Sequence, residues 1–136
     1  MFLIEKSSTI ETKLNMKTLV VGASPNPSRY SNKAVRLLRK YNHEVIPLGI
    51  RNGEIDNLKI IRGKPEISGI HTITLYIGQK KQVKHYDYLL GLHPKRIIFN
   101  PGTENTELTE LTELAQKQDI NIVQNCTLVM LNTDKF

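Results

Sequence analysis

The chain holds one cysteine, Cys126, and no tryptophan, and aromatic residues make up only 6% of it. A single thiol excludes an intramolecular disulfide and reads as a small buried hydrophobe. Four histidines, His43, His71, His85 and His93, lie scattered without ligand spacing, so a metal site has no support and surface or capping positions are expected for them. No run approaches the roughly 18 apolar residues that cross a bilayer. The only apolar stretch near the start, Phe2 to Ile4, is too short for a signal-peptide core. These absences lead to the expectation of a cytoplasmic protein with no membrane attachment. The G-x-S-x-G elbow of hydrolases is missing too, and no His or Cys stands beside a general base in a recognisable local pattern, so no intrinsic catalytic activity is expected.

What is present describes an ordinary globular chain of 136 residues, 39% hydrophobic and 24% charged, with a formal net charge of +6. That length fits one domain with a sizeable core, and a catalytic partner domain is not expected. The positive charge favours anionic partners such as nucleic acid or a phosphorylated small molecule. Nucleic acid is disfavoured, because the basic residues are spread along the chain and only Lys33, Arg36, Arg39 and Lys40 are dense, as on a solvated helix face.

Residues 1–15 lack periodicity and read as an extension, poorly structured or an added strand, ahead of a domain over 16–136. Thr18 to Val21, a short branched apolar run closed by Gly22, has the signature of a strand buried on both faces. A helix capped by Ser31 follows, with Ala34, Val35, Leu37, Leu38 and Tyr41 at helical spacing. Glu44 to Leu48 is the second strand. The crossover from Gly49 to Gly69 should be irregular, turning at Asn52-Gly53. Thr72 to Ile77 is a third strand, followed by a helix from Gln79 to Leu92 burying Val83, Tyr86, Leu89 and Leu90. Arg96 to Asn100, a helix from Asn105 to Gln118, and Asn121 to Gln124 complete the alternation. The fold class is therefore α/β, a Rossmann-like three-layer sandwich with a mostly parallel five-stranded sheet.

In such a sheet ligands sit beyond the carboxyl ends of the strands, where the chain order reverses beside the first strand. Gly22 permits a tight turn there, the amides of Ala23 and Ser24 can face a phosphate, and the hydroxyls of Ser24 and Ser31 can donate beside a helix N-terminus. The loop is not the G-x-G-x-x-G dinucleotide fingerprint, since Ser24 and Pro27 stand where glycines are needed. After strand two, an NAD site carries an acidic residue for the ribose. Gly49, Ile50 and Arg51 offer none, and Arg51 suits a ribose phosphate instead, as in NADP or coenzyme A. Tyr76, Ile77 and Gly78 can line an adenine slot, and Asn100 to Asn105 form a second glycine-containing turn into a helix.

Val20-Val21-Gly22-Ala23-Ser24-Pro25-x-Pro27-x-Arg29-x-Ser31, with Glu44-Val45-Ile46-Pro47 one helix later, resembles the stand-alone coenzyme A-binding domain family. The likeness continues through Ile97-Ile98-Phe99-Asn100-Pro101-Gly102-x-x-Asn105 and Asn125-Cys126-Thr127-Leu128. These domains are similar to the nucleotide-binding half of the succinyl-coenzyme A synthetase α subunit. The resemblance implies that Gly22, Ala23, Ser24 and Asn26 meet the phosphates, with Arg29, Tyr30 and Ser31 completing that loop. It also implies that Gly49 and Arg51 lie near the ribose phosphate, that Tyr76, Ile77 and Gly78 border the nucleotide, and that Asn100, Gly102 and Asn105 form the second turn. Two departures stand out: Leu48-Gly49-Ile50 where many members carry Val-Asn-Pro, and Gln79-Lys80-Lys81-Gln82 where an Arg-Pro pattern is frequent.

The leading expectation is a small binding, carrier or regulatory module for coenzyme A or an acyl-coenzyme A. The resemblance is also compatible with a homodimer. An NADP-binding redox enzyme or sensor is the first alternative, and a charge-driven nucleic-acid binder, whose affinity falls steeply with salt, is the second.

Overall fold

The computed structural model describes residues 16–103 and 108–136. The expectations for residues 1–15 and for Asn105 fall outside them. The five expected sheet strands are present as β1 (Thr18–Val21), β2 (Val45–Leu48), β5 (Thr72–Leu75), β6 (Arg96–Phe99) and β7 (Asn121–Gln124). They form one sheet in the order β2-β1-β5-β6-β7, and every pairing is parallel. The register sets Val21 opposite Leu48 and Leu75, Leu75 opposite Phe99, and Phe99 opposite Gln124. All five carboxyl ends therefore finish in one row.

Residue alternation along the strands divides the core between two faces. Leu19, Val21, Ile73, Leu75, Ile97 and Phe99 pack with Tyr86, Leu89 and Leu90 of α3 (Tyr86–Gly91) and with Leu111 and Ala115 of α4 (Leu108–Gln116). On the opposite face Val20 and Val45 meet Val35 and Leu38 of α1 (Tyr30–Lys40), Ile55, Ile60, and Leu131 of α5 (Thr127–Asn132). Each fully buried Leu or Ile contributes about 1.5–3 kcal/mol through removal from water, so neither helical layer is dispensable.

Several local readings are corrected. The crossover after β2 contains a hairpin of β3 (Glu54–Ile55) and β4 (Leu58–Lys59). It turns at Asp56 and Asn57, whose φ angles of 52° and 68° supply the left-handed pair that a tight hairpin needs. Asn52-Gly53 is not the turn, because Gly53 packs against the ring of Pro25. The helix expected from Gln79 to Leu92 is broken into α2 (Gln79–Gln82), a 3₁₀ turn at Val83–His85, and α3. The break rotates the helical face, leaving Val83 51% exposed while Gln82 is wholly buried. α5 had no counterpart in the sequence reading. His43 is buried rather than superficial, and its Nδ1 accepts the Met16 amide at 3.1 Å.

Candidate functional site

β1 and β5 are neighbours in the sheet, yet the chain leaving β1 enters α1 on one face and the chain leaving β5 enters α2 and α3 on the other. A crevice must open between the two departing loops, and this is the position at which open α/β sheets take ligands. Gly22 forms its floor. With φ at +95°, it occupies a region that side chains rarely adopt, and a Cβ here would stand 3.0 Å from Ile77 Cγ2 and 3.1 Å from the Tyr76 carbonyl oxygen. The two loops thus approach as closely as a backbone without a side chain allows.

The first loop is held by its own side chains. Ser24 Oγ accepts the Asn26 amide at 3.1 Å, and Asn26 Oδ1 accepts the Ser28 amide at 3.0 Å and the Ser28 hydroxyl at 2.8 Å. From α1, Asn32 Nδ2 donates to the Ser24 carbonyl at 2.8 Å, while Arg36 donates to both Asn32 Oδ1 and the Pro27 carbonyl. Sequence reasoning missed Asn32 and Arg36. Their i, i+4 spacing on one helix face was the available signal.

Two expected donor roles change. The amides of Gly22 and Ala23 both donate to the Leu48 carbonyl at 2.9 Å, so the Ala23 amide is turned toward β2 and away from a ligand. Ser31 is not the cap: the cap is Arg29, because the Arg29 amide closes a turn on the Asn26 carbonyl at 3.1 Å and helical geometry starts at Tyr30. Ser31 therefore sits within the first turn, buried. Among the described residues no side chain caps α1, so its first-turn amides lack that partner, and the amide of Ser24 likewise has none.

The loop after β2 lies against the first. A Cβ on Gly49 would collide with the Ala23 carbonyl oxygen, which accounts for glycine there. Arg51 follows on an exposed bend, and Arg29 and Tyr30 are exposed where the first loop enters α1. On the β5 side the Tyr76 amide donates to the Val21 carbonyl at 2.8 Å, tying the crevice walls together. Tyr76 packs toward α1 and α5, and Ile77 toward the opposite layer. Among the described residues no partner meets the buried Tyr76 hydroxyl within hydrogen-bond geometry. The hydroxyls of Thr74 and Thr127, which bond each other at 2.7 Å, lie close enough to favour its ionised form, but burial outweighs them. Burial pushes the phenol up to about 12, so it stays neutral. Gly78 is exposed and begins α2.

The match to known families decides what this crevice belongs to. Residues 16–132 match the family described as CoA binding domain. The chain belongs to that family. As a CoA-binding domain it is 45% identical to a solved structure of an uncharacterized protein, with a TM-score of 0.84 over 89% of this chain and 98% of the other. A hypothetical protein from Pyrococcus horikoshii OT3 shares the fold at 22% identity, with a TM-score of 0.75 over 93% of this chain and 89% of the other. A structure from Thermus thermophilus does so at 18% identity, with a TM-score of 0.74 over 97% and 98% of the two chains. No curated protein matches the chain.

Among the described residues of this CoA-binding domain there is no cluster of His, Cys, Asp and Glu able to hold a metal ion, and no helix is long and apolar enough to cross a membrane. Gly22, Ser24, Asn26, Tyr76 and Ile77 are gathered around the crevice. Asn100 is buried beneath it: Nδ2 donates to Thr74 Oγ1 at 2.6 Å and to the Leu75 carbonyl at 2.8 Å, and Oδ1 accepts the Thr127 amide at 2.9 Å. Its amide is thus committed to the protein, joining β5 and β6 to the start of α5. Gly102, with φ at +88°, is exposed on the turn above it. Gln82 was also missed. Its Nε2 donates to the Ile77 and Thr103 carbonyls and clamps the loops after β5 and β6 together.

Proposed function

We propose that this protein binds coenzyme A, free or acylated, as a non-catalytic binding, carrier or regulatory module. The observation that carries the reading is the uncapped N-terminus of α1 beside the uncommitted Ser24 amide, at the switch point where Gly22 leaves room for backbone approach. Backbone amides at a helix start complement a pyrophosphate through both hydrogen bonding and the helix dipole. The Ser24 hydroxyl, which only accepts within the protein, retains its hydrogen for a phosphate oxygen.

In this arrangement Gly22, Ser24 and the first turn of α1 hold the diphosphate. Arg51, exposed and without an ion pair among the described residues, meets the 3′-phosphate, while Tyr76 and Ile77 supply the apolar wall for the adenine. Arg29, Tyr30, Gly78 and Gly102 rim the opening. Asn26 and Asn100 serve by holding the loops. The same Arg51 suits the 2′-phosphate of NADP, which makes NADP the informative competitor.

Isothermal titration against coenzyme A, dephospho-coenzyme A, NAD and NADP at two salt concentrations tests the reading. Saturable binding of coenzyme A is expected, weakened about tenfold by loss of the 3′-phosphate or by Arg51→Ala, in keeping with one charge-assisted contact. Preference for NADP would replace this reading with the redox one, and no binding of any of the four would end it.

A further inference from the structure

The cations of α1 are not all alike. Arg39 is neutralised by Asp56 of the hairpin turn, at 3.5 Å between Nη1 and Oδ2. Lys33, Arg36 and Lys40 face a groove of about 350 Å³ between α1 and α5, together with Leu37, Leu128 and Asn132. Among the described residues none of these three cations has an ion-pair partner; Lys33 rests over the Tyr30 ring at 5.2 Å, and Arg36 is bonded to neutral acceptors. The groove thus combines an aliphatic floor with an unbalanced positive rim.

We propose that this groove docks an acidic amphipathic helix of a partner protein. The spacing states what that helix must carry. Lys33 and Lys40 are seven residues apart, so their charges lie two turns, about 10.5 Å, apart along the axis of α1. A partner helix laid along the groove satisfies both with carboxylates seven residues apart and fills the floor at Leu37 and Leu128 with an aliphatic side chain between them, the Glu-x-x-Leu-x-x-x-Glu pattern. Helix-in-groove recognition of this kind takes its affinity from the apolar contact and its register from the charges. A phosphodiester backbone satisfies the cations alone and leaves the aliphatic floor uncovered, so a nucleic acid is the poorer fit.

A fluorescein-labelled synthetic helical peptide carrying that pattern is the probe, measured by anisotropy against the full chain in the absence of nucleotide. Controls are a scrambled peptide of identical composition and a single-stranded oligonucleotide of equal charge. Saturable binding of the patterned peptide is expected, with both controls at least tenfold weaker. Lys33→Glu combined with Lys40→Glu should reduce affinity at least tenfold. Lys84→Glu combined with Lys117→Glu makes the same change in net charge away from the groove and should leave affinity within about twofold. All four lysines are exposed, and thermal unfolding of each variant verifies that it remains folded. Absence of binding, equal binding of either control, or equal loss in both double variants would overturn the proposal. None of these outcomes bears on coenzyme A.

Discussion

Gln82 and Thr103 meet across 2.6 Å, side-chain amide to backbone carbonyl, although they stand 21 positions apart and lie beyond the ends of the paired strands β5 and β6. The second hydrogen of the same amide serves the Ile77 carbonyl at 2.9 Å. One wholly buried side chain therefore fixes the spacing of two loops that border the crevice.

Replacing Gln82 by Leu leaves two carbonyls without their donor, and a loss of about 2 kcal/mol in unfolding free energy is expected from denaturant titration. Gln82→Glu should cost more at neutral pH, because a carboxylate then faces two carbonyl oxygens, and should recover partly in acid as it gains a hydrogen to donate. Equal stability of the wild type and both variants would show that the loops are held by other contacts.

The unsatisfied hydroxyl of Tyr76 makes the opposite forecast. Tyr76→Phe removes a polar atom that is buried without a partner while retaining the ring, so stability should rise by about 1 kcal/mol. A fall of similar size in thermal or denaturant unfolding would mean that the hydroxyl is bonded in solution.

At the amino ends of the strands the Met16 amide donates to Nδ1 of His43, which requires that nitrogen to be unprotonated. Burial, then the charges of Arg96 and His71, hold His43 below its ordinary 6.5; burial, then Arg96 and Lys95, do the same for His71. Folded-state values below the unfolded one mean that the unfolded chain binds more protons in the acid range. The stabilising contribution is therefore complete above about pH 6.5 and is lost as pH falls through the depressed folded values. Urea midpoints should decline across this interval, and His43→Leu should flatten the decline. An unchanged slope in that variant would remove His43 from the account.

The layered order of the fold was legible because β-branched runs such as Thr18–Val21 and Thr72–Leu75 carry their own burial signal, and Gly22 marks the end of the first. Helix phase was harder to read. Val83 and Gln82 exchanged places because a 3₁₀ turn shifts the face by a fraction of a turn, and no local pattern of hydrophobic residues records that shift. Residue type alone points to Ser31 as the cap, whereas a hydrogen bond between Arg29 and Asn26 sets the helix start two residues earlier. Gln82, Asn32 and Asn100 act through long-range polar contacts whose partners are defined only once the loops have come together.

The first loop owes its shape to Asn32 and Arg36, which grip it from a packed helix through the Ser24 and Pro27 carbonyls. A ligand arriving there meets a surface already arranged, with little chain entropy left to lose. Association should then be a single step, its observed rate climbing in proportion to nucleotide concentration without levelling off, and differences among nucleotides should appear in how slowly each one leaves.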